Sequence, residues 1–102
     1  MNNKNKSSDK KPKTIKVVIN TKYGGFELSQ EALLLAKEEG FNPNNVARDD
    51  SRLVKIIEQL GKKANTRCSQ LEIVEIPAEI EWSLEEYDGK EWIAEKHRTW
   101  GN

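Results

Sequence analysis

Apolar and polar positions along the chain follow two periods, one of about two residues and one of about 3.6. From Thr14 to Thr21 the run TIKVVINT is β-branched and aliphatic, bounded by Pro12 and a glycine pair. It predicts a strand with Ile15, Val17 and Ile19 on one face and Val18 on the other. Tyr23-Gly24-Gly25-Phe26 predicts a sharp strand-to-helix turn with both aromatics tucked into the core. Paired glycines permit backbone angles that a Cβ resists, and they also let a ligand or another chain approach the backbone closely. The period then becomes helical over Gln30 to Glu39, with Ser29 as N-cap and Gly40 as the C-cap glycine. Leu28 and Leu33 have the spacing of a hydrophobic staple, and Leu33, Leu34, Ala36 and Lys37 form the expected core-facing stripe. Pro43 marks Phe41 to Asn45 as loop. A second helix is expected over Ser51 to Leu60, capped by Asp49 or Asp50, burying Leu53, Val54, Ile56, Ile57 and Leu60 and ending at Gly61.

Lys62 to Cys68 either extends that helix or forms a polar turn. Leu71 to Ile76 reads as a second strand stopped by Pro77. The strongest turn signal is Asp88-Gly89, set between two alternating arms, and it predicts a hairpin. On its first arm Ile80, Trp82 and Leu84 share a face. On its second arm Trp92, Ala94 and Lys96 share one face, and Ile93, Glu95 and His97 the other; Trp82 and Trp92 are expected mainly to pack. Strand, helix, helix and three strands argue an α+β domain, with two helices on one face of a mainly antiparallel sheet of about four strands. There is no internal repeat.

Composition narrows the class. The 102 residues suit one domain. Residues 1–13 (MNNKNKSSDKKPK) have the polar composition of a disordered tail, and residues 14–102 form the expected folded body. No apolar run approaches the roughly 20 residues of a membrane span, and no apolar stretch at the N-terminus suggests a secretion signal, so an intracellular protein is expected. Net charge is zero. The tail, with five lysines against one aspartate, carries +4 and leaves −4 on the rest. That balance disfavours a polymeric nucleic acid as partner.

The residue inventory offers little catalysis. One histidine and one cysteine exclude a Cys/His metal site and an internal disulfide. Cys68 with His97 would form a conceivable nucleophilic pair, but Cys68 reads better as a small apolar residue near a strand start. No phosphate-binding loop or dinucleotide fingerprint is present. What remains suits binding. Arg48, Arg67 and Arg98 are candidate anion clamps, Tyr23, Phe26, Trp92 and Trp100 are stacking surfaces, and Asn65 and His97 are directional hydrogen-bonding groups. Arginine forks for phosphates and flat rings for a base together suit a nucleotide.

Three longer segments carry a resemblance: KVVINTKYGGFELSQEA, RDDSRLVKIIEQLGKKANTRCSQLEIVEIP and EWSLEEYDGKEWIAEKHRTW. Over about residues 15–100 the chain resembles a family of small bacteriophage proteins, identified as the Thoeris anti-defence proteins of the first type. These act as molecular sponges that sequester a cyclic ADP-ribose isomer made by bacterial TIR-domain enzymes, and some also take up cyclic oligonucleotide signals. The resemblance implies a homo-oligomer built from dimers, acting in the host bacterial cytoplasm without catalysis, and the residue inventory adds the expectation of no metal or cofactor. Residue chemistry placed on the matched motifs points to Gly24, Gly25, Phe26, Arg48, Asn65, Arg67, His97, Arg98 and Trp100 as ligand-binding positions. The three arginines would take phosphates, and Phe26 and Trp100 the base. Gly24 and Gly25 would bring backbone N–H groups to the ligand, and Asn65 and His97 would fix ribose or base edges. One departure is plain: many relatives carry a longer insertion where this chain has only Phe41 to Ala47, which puts pocket depth, oligomer size and activity itself in question. The alternatives are a small protein-interaction module that uses the hairpin aromatics to inhibit a host protein, and an enzyme acting on the same type of ligand.

Overall fold

The computed structural model describes residues 13–96. The chain is α+β, with β1 (Thr14–Asn20), α1 (Gln30–Glu39), α2 (Ser51–Leu60), β2 (Leu71–Pro77), β3 (Trp82–Tyr87) and β4 (Lys90–Glu95), plus short 3₁₀ turns at Pro43–Asn45 and Gly61–Ala64. The four antiparallel strands form two separate ladders, β1 with β2 and β3 with β4. In the first, Val17 faces Val74 and Ile19 faces Glu72; in the second, Leu84 faces Ile93 and Tyr87 faces Lys90 across the Asp88-Gly89 turn.

The β1–β2 ribbon is a middle layer. One face carries Val18 and Leu71 into the core with Leu28, Ala32, Leu53 and Ile57 of the helical layer. The other carries Val17, Ile19 and Ile76 against Trp82, Leu84 and Ile93 of the hairpin. Val17 to Asn20 are therefore all buried, which accounts for an unbroken apolar run where a one-sided strand would alternate. A two-stranded ribbon is marginal in water, so each ladder depends on this stacking. Fully burying one such aliphatic side chain contributes roughly 1.5–3 kcal/mol.

The helix ends match their signals. The Ser29 hydroxyl accepts from the Ala32 N–H, and Gly40 closes α1 in the left-handed conformation at φ 82°. The Asp50 carboxylate caps α2 through the Arg52 N–H and also takes the Arg52 guanidinium, whose other side lies 4.6 Å from the centre of the Phe41 ring. The inward face of α1 differs from expectation. Ala32 and Ala36 are buried while Leu33 and Leu34 are 38% and 59% exposed, so of the expected stripe of Leu33, Leu34, Ala36 and Lys37 only Ala36 faces the core. The chain enters α1 through bonds from the Ser29 N–H to the Ala64 carbonyl and from the Ser29 hydroxyl to the Lys63 carbonyl, and these fix the helix rotation. Small alanines then face the neighbouring elements, where close approach leaves no space for leucine.

The hydrogen bonds from Arg52 hold the Asp50 carboxyl down at about 2, against 3.8 for a free one. A lowered value means that the charged cap contributes stability above about pH 4 and loses it as pH falls toward 2. The thermal midpoint of the native chain should exceed that of Asp50→Asn at neutral pH, with the gap closing between about pH 4 and pH 2. An unchanged gap at pH 2 would show that the charge plays no part.

Candidate functional site

The loops after β1, before β2 and between β3 and β4 converge at one end of the molecule. Asn20, wholly buried at the end of β1, ties them together. Its side-chain N–H₂ donates to the carbonyls of Lys22 and Gly89 at 2.6 and 2.7 Å, and its Oδ1 accepts from the Gln70 N–H at 2.8 Å. The Asn20 backbone N–H lies on the β1 edge away from β2 and donates to Glu91 Oε1 at 2.8 Å. Two residues earlier on that edge, the Val18 N–H donates to the Arg48 carbonyl at 2.9 Å. Arg48 and Glu91 complete the closure through a two-pronged ion pair at 2.6 and 3.0 Å. The edge of β1 is thus capped by a loop carbonyl and a carboxylate rather than by another strand.

Four of the sequence-predicted positions gather here, and their chemistry is largely spent within the chain. Arg48, expected as a phosphate clamp, gives its fork to Glu91 and stacks its guanidinium 3.6 Å from the centre of the Phe26 ring. Phe26, expected to stack on a base, is half-buried against the helical core with Arg48 over its ring. Gly24 and Gly25 have φ of 129° and 124°, a region that favours glycine. The Gly24 N–H, expected to reach a ligand, donates to the Asp88 carbonyl at 3.0 Å. A Cβ on Gly24 would lie 2.7 Å from the Cys68 carbonyl oxygen, and one on Gly89 would run into the backbone of Gly24 and Gly25. The glycines serve backbone-on-backbone packing of three loops.

The loop before β2 is held from below. Ser69, buried, donates to the Glu27 carbonyl, while the Thr66 hydroxyl donates to the Glu27 carboxylate and accepts from the Cys68 N–H. Arg67 is exposed on this rigid loop, and its carbonyl accepts from the Lys22 ammonium at 2.8 Å. Asn65 spends its Oδ1 on the Leu71 N–H at 2.8 Å and lines an open groove of about 530 Å³ with Gly61, Lys62, Gln70, Leu71 and Glu72. Cys68 is exposed, not the packed residue expected. His97, Arg98 and Trp100 lie outside the described residues. Among the described residues no cluster of three or more His, Cys, Asp or Glu gathers around a metal position, and no helix is long and apolar enough to cross a membrane.

Open chemistry at this end comes from two expected residues, Arg67 and Tyr23, the latter exposed rather than tucked into the core, and from Lys22, Lys90 and Tyr87, which motif reading did not single out. Lys22 and Arg67 sit on adjoining loops, Tyr23 is 58% exposed, and the Lys90 ammonium lies 5.4 Å from the centre of its ring. Tyr87, 68% exposed, flanks the hairpin turn opposite Lys90. Glu91 was missed as well, though a signal existed. It shares alternation parity with Ile93, so a carboxylate falls on the apolar face of β4.

Removing Glu91 leaves the Arg48 guanidinium and the Asn20 N–H without their acceptor. Glu91→Ala should lower stability by about 3–5 kcal/mol, read as a fall in the urea midpoint. Arg48→Met with Glu91→Leu should lose less than the two single changes added together. Simple additivity would mean that the pair is not coupled.

Compared with known proteins, the chain matches no family model, no curated protein and no solved structure.

Proposed function

We propose that the protein binds and sequesters a compact cyclic nucleotide of the cyclic ADP-ribose type, as a phage sponge against Thoeris immune signalling in the host bacterial cytoplasm. The carrying observation is the convergence of three loops that display Lys22, Arg67 and Lys90 beside the exposed rings of Tyr23 and Tyr87. Cations with flat rings on a rigid backbone are what a ligand with two phosphates and a base requires. The resemblance over about residues 15–100 supports the same reading and adds His97, Arg98 and Trp100 to the binding set. The same resemblance supports a homo-oligomer whose pockets form partly between chains.

The structure changes which residues carry the binding in this proposal. Arg67 and Lys22 take the phosphates with Arg98, while Arg48, Phe26, Gly24 and Gly25 act one layer below by holding the loops in register. Sequestration at low signal concentration needs nanomolar affinity, roughly −12 kcal/mol. A charge-assisted phosphate contact supplies about 1.5–3 kcal/mol of that. Tight capture with return of an unaltered ligand separates a sponge from an enzyme.

Incubation with cyclic ADP-ribose isomers should raise the thermal midpoint by several degrees, since ligand at about a thousand times Kd stabilises by roughly 4 kcal/mol. Heat should then release the ligand with unchanged mass. Arg67→Ala should weaken binding about 10- to 100-fold while leaving the ligand-free midpoint in place. No shift with any cyclic nucleotide would sink the proposal, and recovery of an altered ligand would make the protein an enzyme.

A further inference from the structure

Independently of nucleotide capture, the outer face and open edge of the β3–β4 hairpin form an unpartnered surface. Its inner face is spent on Val17, Ile19 and Ile76 through Trp82, Leu84 and Ile93. The strand register puts Ser83, Glu85 and Tyr87 of β3 and Lys90, Trp92 and Ala94 of β4 on the opposite face. There Trp92, expected to pack, is 46% exposed and stands directly across from Glu85, with Tyr87 on its diagonal. The charge along β3 is one-sided. Glu81, Glu85 and Glu86 line this strand with no Lys or Arg within residues 79–89, and none of the three is in an ion pair among the described residues. The cations on this face, Lys90 and Lys96, belong to the far strand or follow it, and Lys90 leans at the turn end over the Tyr23 ring.

The edge is open as well. The Lys96 N–H donates to the Glu81 carbonyl, which sets the ladder so that Glu81, Ser83, Glu85 and Tyr87 bond toward β4. By the antiparallel alternation, the backbone groups of Trp82, Leu84 and Glu86 point the other way. Among the described residues none of those three makes a backbone bond outside the hairpin. A surface that combines an unpaired strand edge, exposed indole and phenol rings and surplus carboxylates favours one kind of occupant. We propose that it docks an extended, lysine- or arginine-rich segment of another protein by strand addition along β3. The segment's backbone pairs with Trp82, Leu84 and Glu86, and its cations lie across Trp92 and Tyr87 toward Glu85.

The test uses the full chain and a fluorescently labelled peptide of about eight residues alternating Lys and Val, followed by anisotropy. Saturable binding that weakens as salt rises, and that is absent for the matching Glu/Val peptide, is the expected result. Trp92→Ala and Glu85→Lys, both at exposed positions, should each weaken it about tenfold or more with the circular dichroism spectrum unchanged. Methylating alternate backbone nitrogens of the peptide, so that it cannot pair with an edge, should abolish it. Failure to bind, equal binding of the Glu/Val peptide, or indifference to both substitutions overturns the proposal. So does sedimentation showing dimers that Trp92→Ala disperses, which would give the face to a second copy. Binding that emerges only after Lys4, Lys6, Lys10 and Lys11 are changed to Ala also overturns it, because the face would then belong to this chain's own amino-terminal segment.

Discussion

The rest of the structure depends on how the free edge of β1 is closed. A central strand has two rows of backbone groups, and β2 satisfies only one of them. On the other row the Val18 and Asn20 N–H groups find the Arg48 carbonyl and the Glu91 carboxylate. Buried N–H groups without acceptors cost about 1–3 kcal/mol each, so these two bonds weigh heavily in a small protein. Because Glu91 is 7% exposed, its charge also needs a buried counter-charge, and Arg48 supplies it. One carboxylate thereby joins three parts of the chain: the first strand, the loop before α2 and the last strand.

That constraint explains why several residues with binding chemistry are occupied. Arginine and phenylalanine near a glycine pair look like a nucleotide clamp when read along the chain. In three dimensions the arginine covers the ring and faces a carboxylate contributed 43 residues later. The loops that Arg48, Gly24 and Gly25 hold together display other cations and rings at their surface. Support and display thus lie in adjacent layers, and a substitution in the lower layer moves the side chains that the upper one displays.

Much of the fold was legible because its signals are local. Ser29, Gly40, Asp50 and the Asp88-Gly89 turn act within a few residues of themselves, and the structure shows each in the expected role. The rotation of α1 was not legible. It is set by Ser29 bonding to Lys63 and Ala64, more than 30 positions away, so Leu33 and Leu34 turn outward against their apparent stripe. The separation of four strands into two ladders was equally hidden. Alternation tells which face of each arm is apolar, but not whether that face meets a helix or another sheet. Of the candidate site, Arg67, Tyr23 and the backbone freedom of the glycine pair could be read from sequence, whereas the convergence of three loops there could not. The capture of Arg48 by Glu91 could not, since only the alternation parity of Glu91 hinted at it.

The absence of a continuous ladder between the two ribbons has a consequence for motion. Sheet hydrogen bonds ordinarily make neighbouring strands open together. Here the hairpin meets the middle layer through side chains, the Asn20 bonds to Glu91 and Gly89, the Arg48–Glu91 ion pair and the Gly24–Asp88 bond, so its opening breaks these contacts rather than a shared ladder. The hairpin amides and the buried face of β1 are therefore coupled through side chains and loop bonds, not through strand pairing. Whatever grips the outer side of the hairpin also bears on the buried Val17, Ile19 and Ile76 face and on the Glu91 closure beneath it.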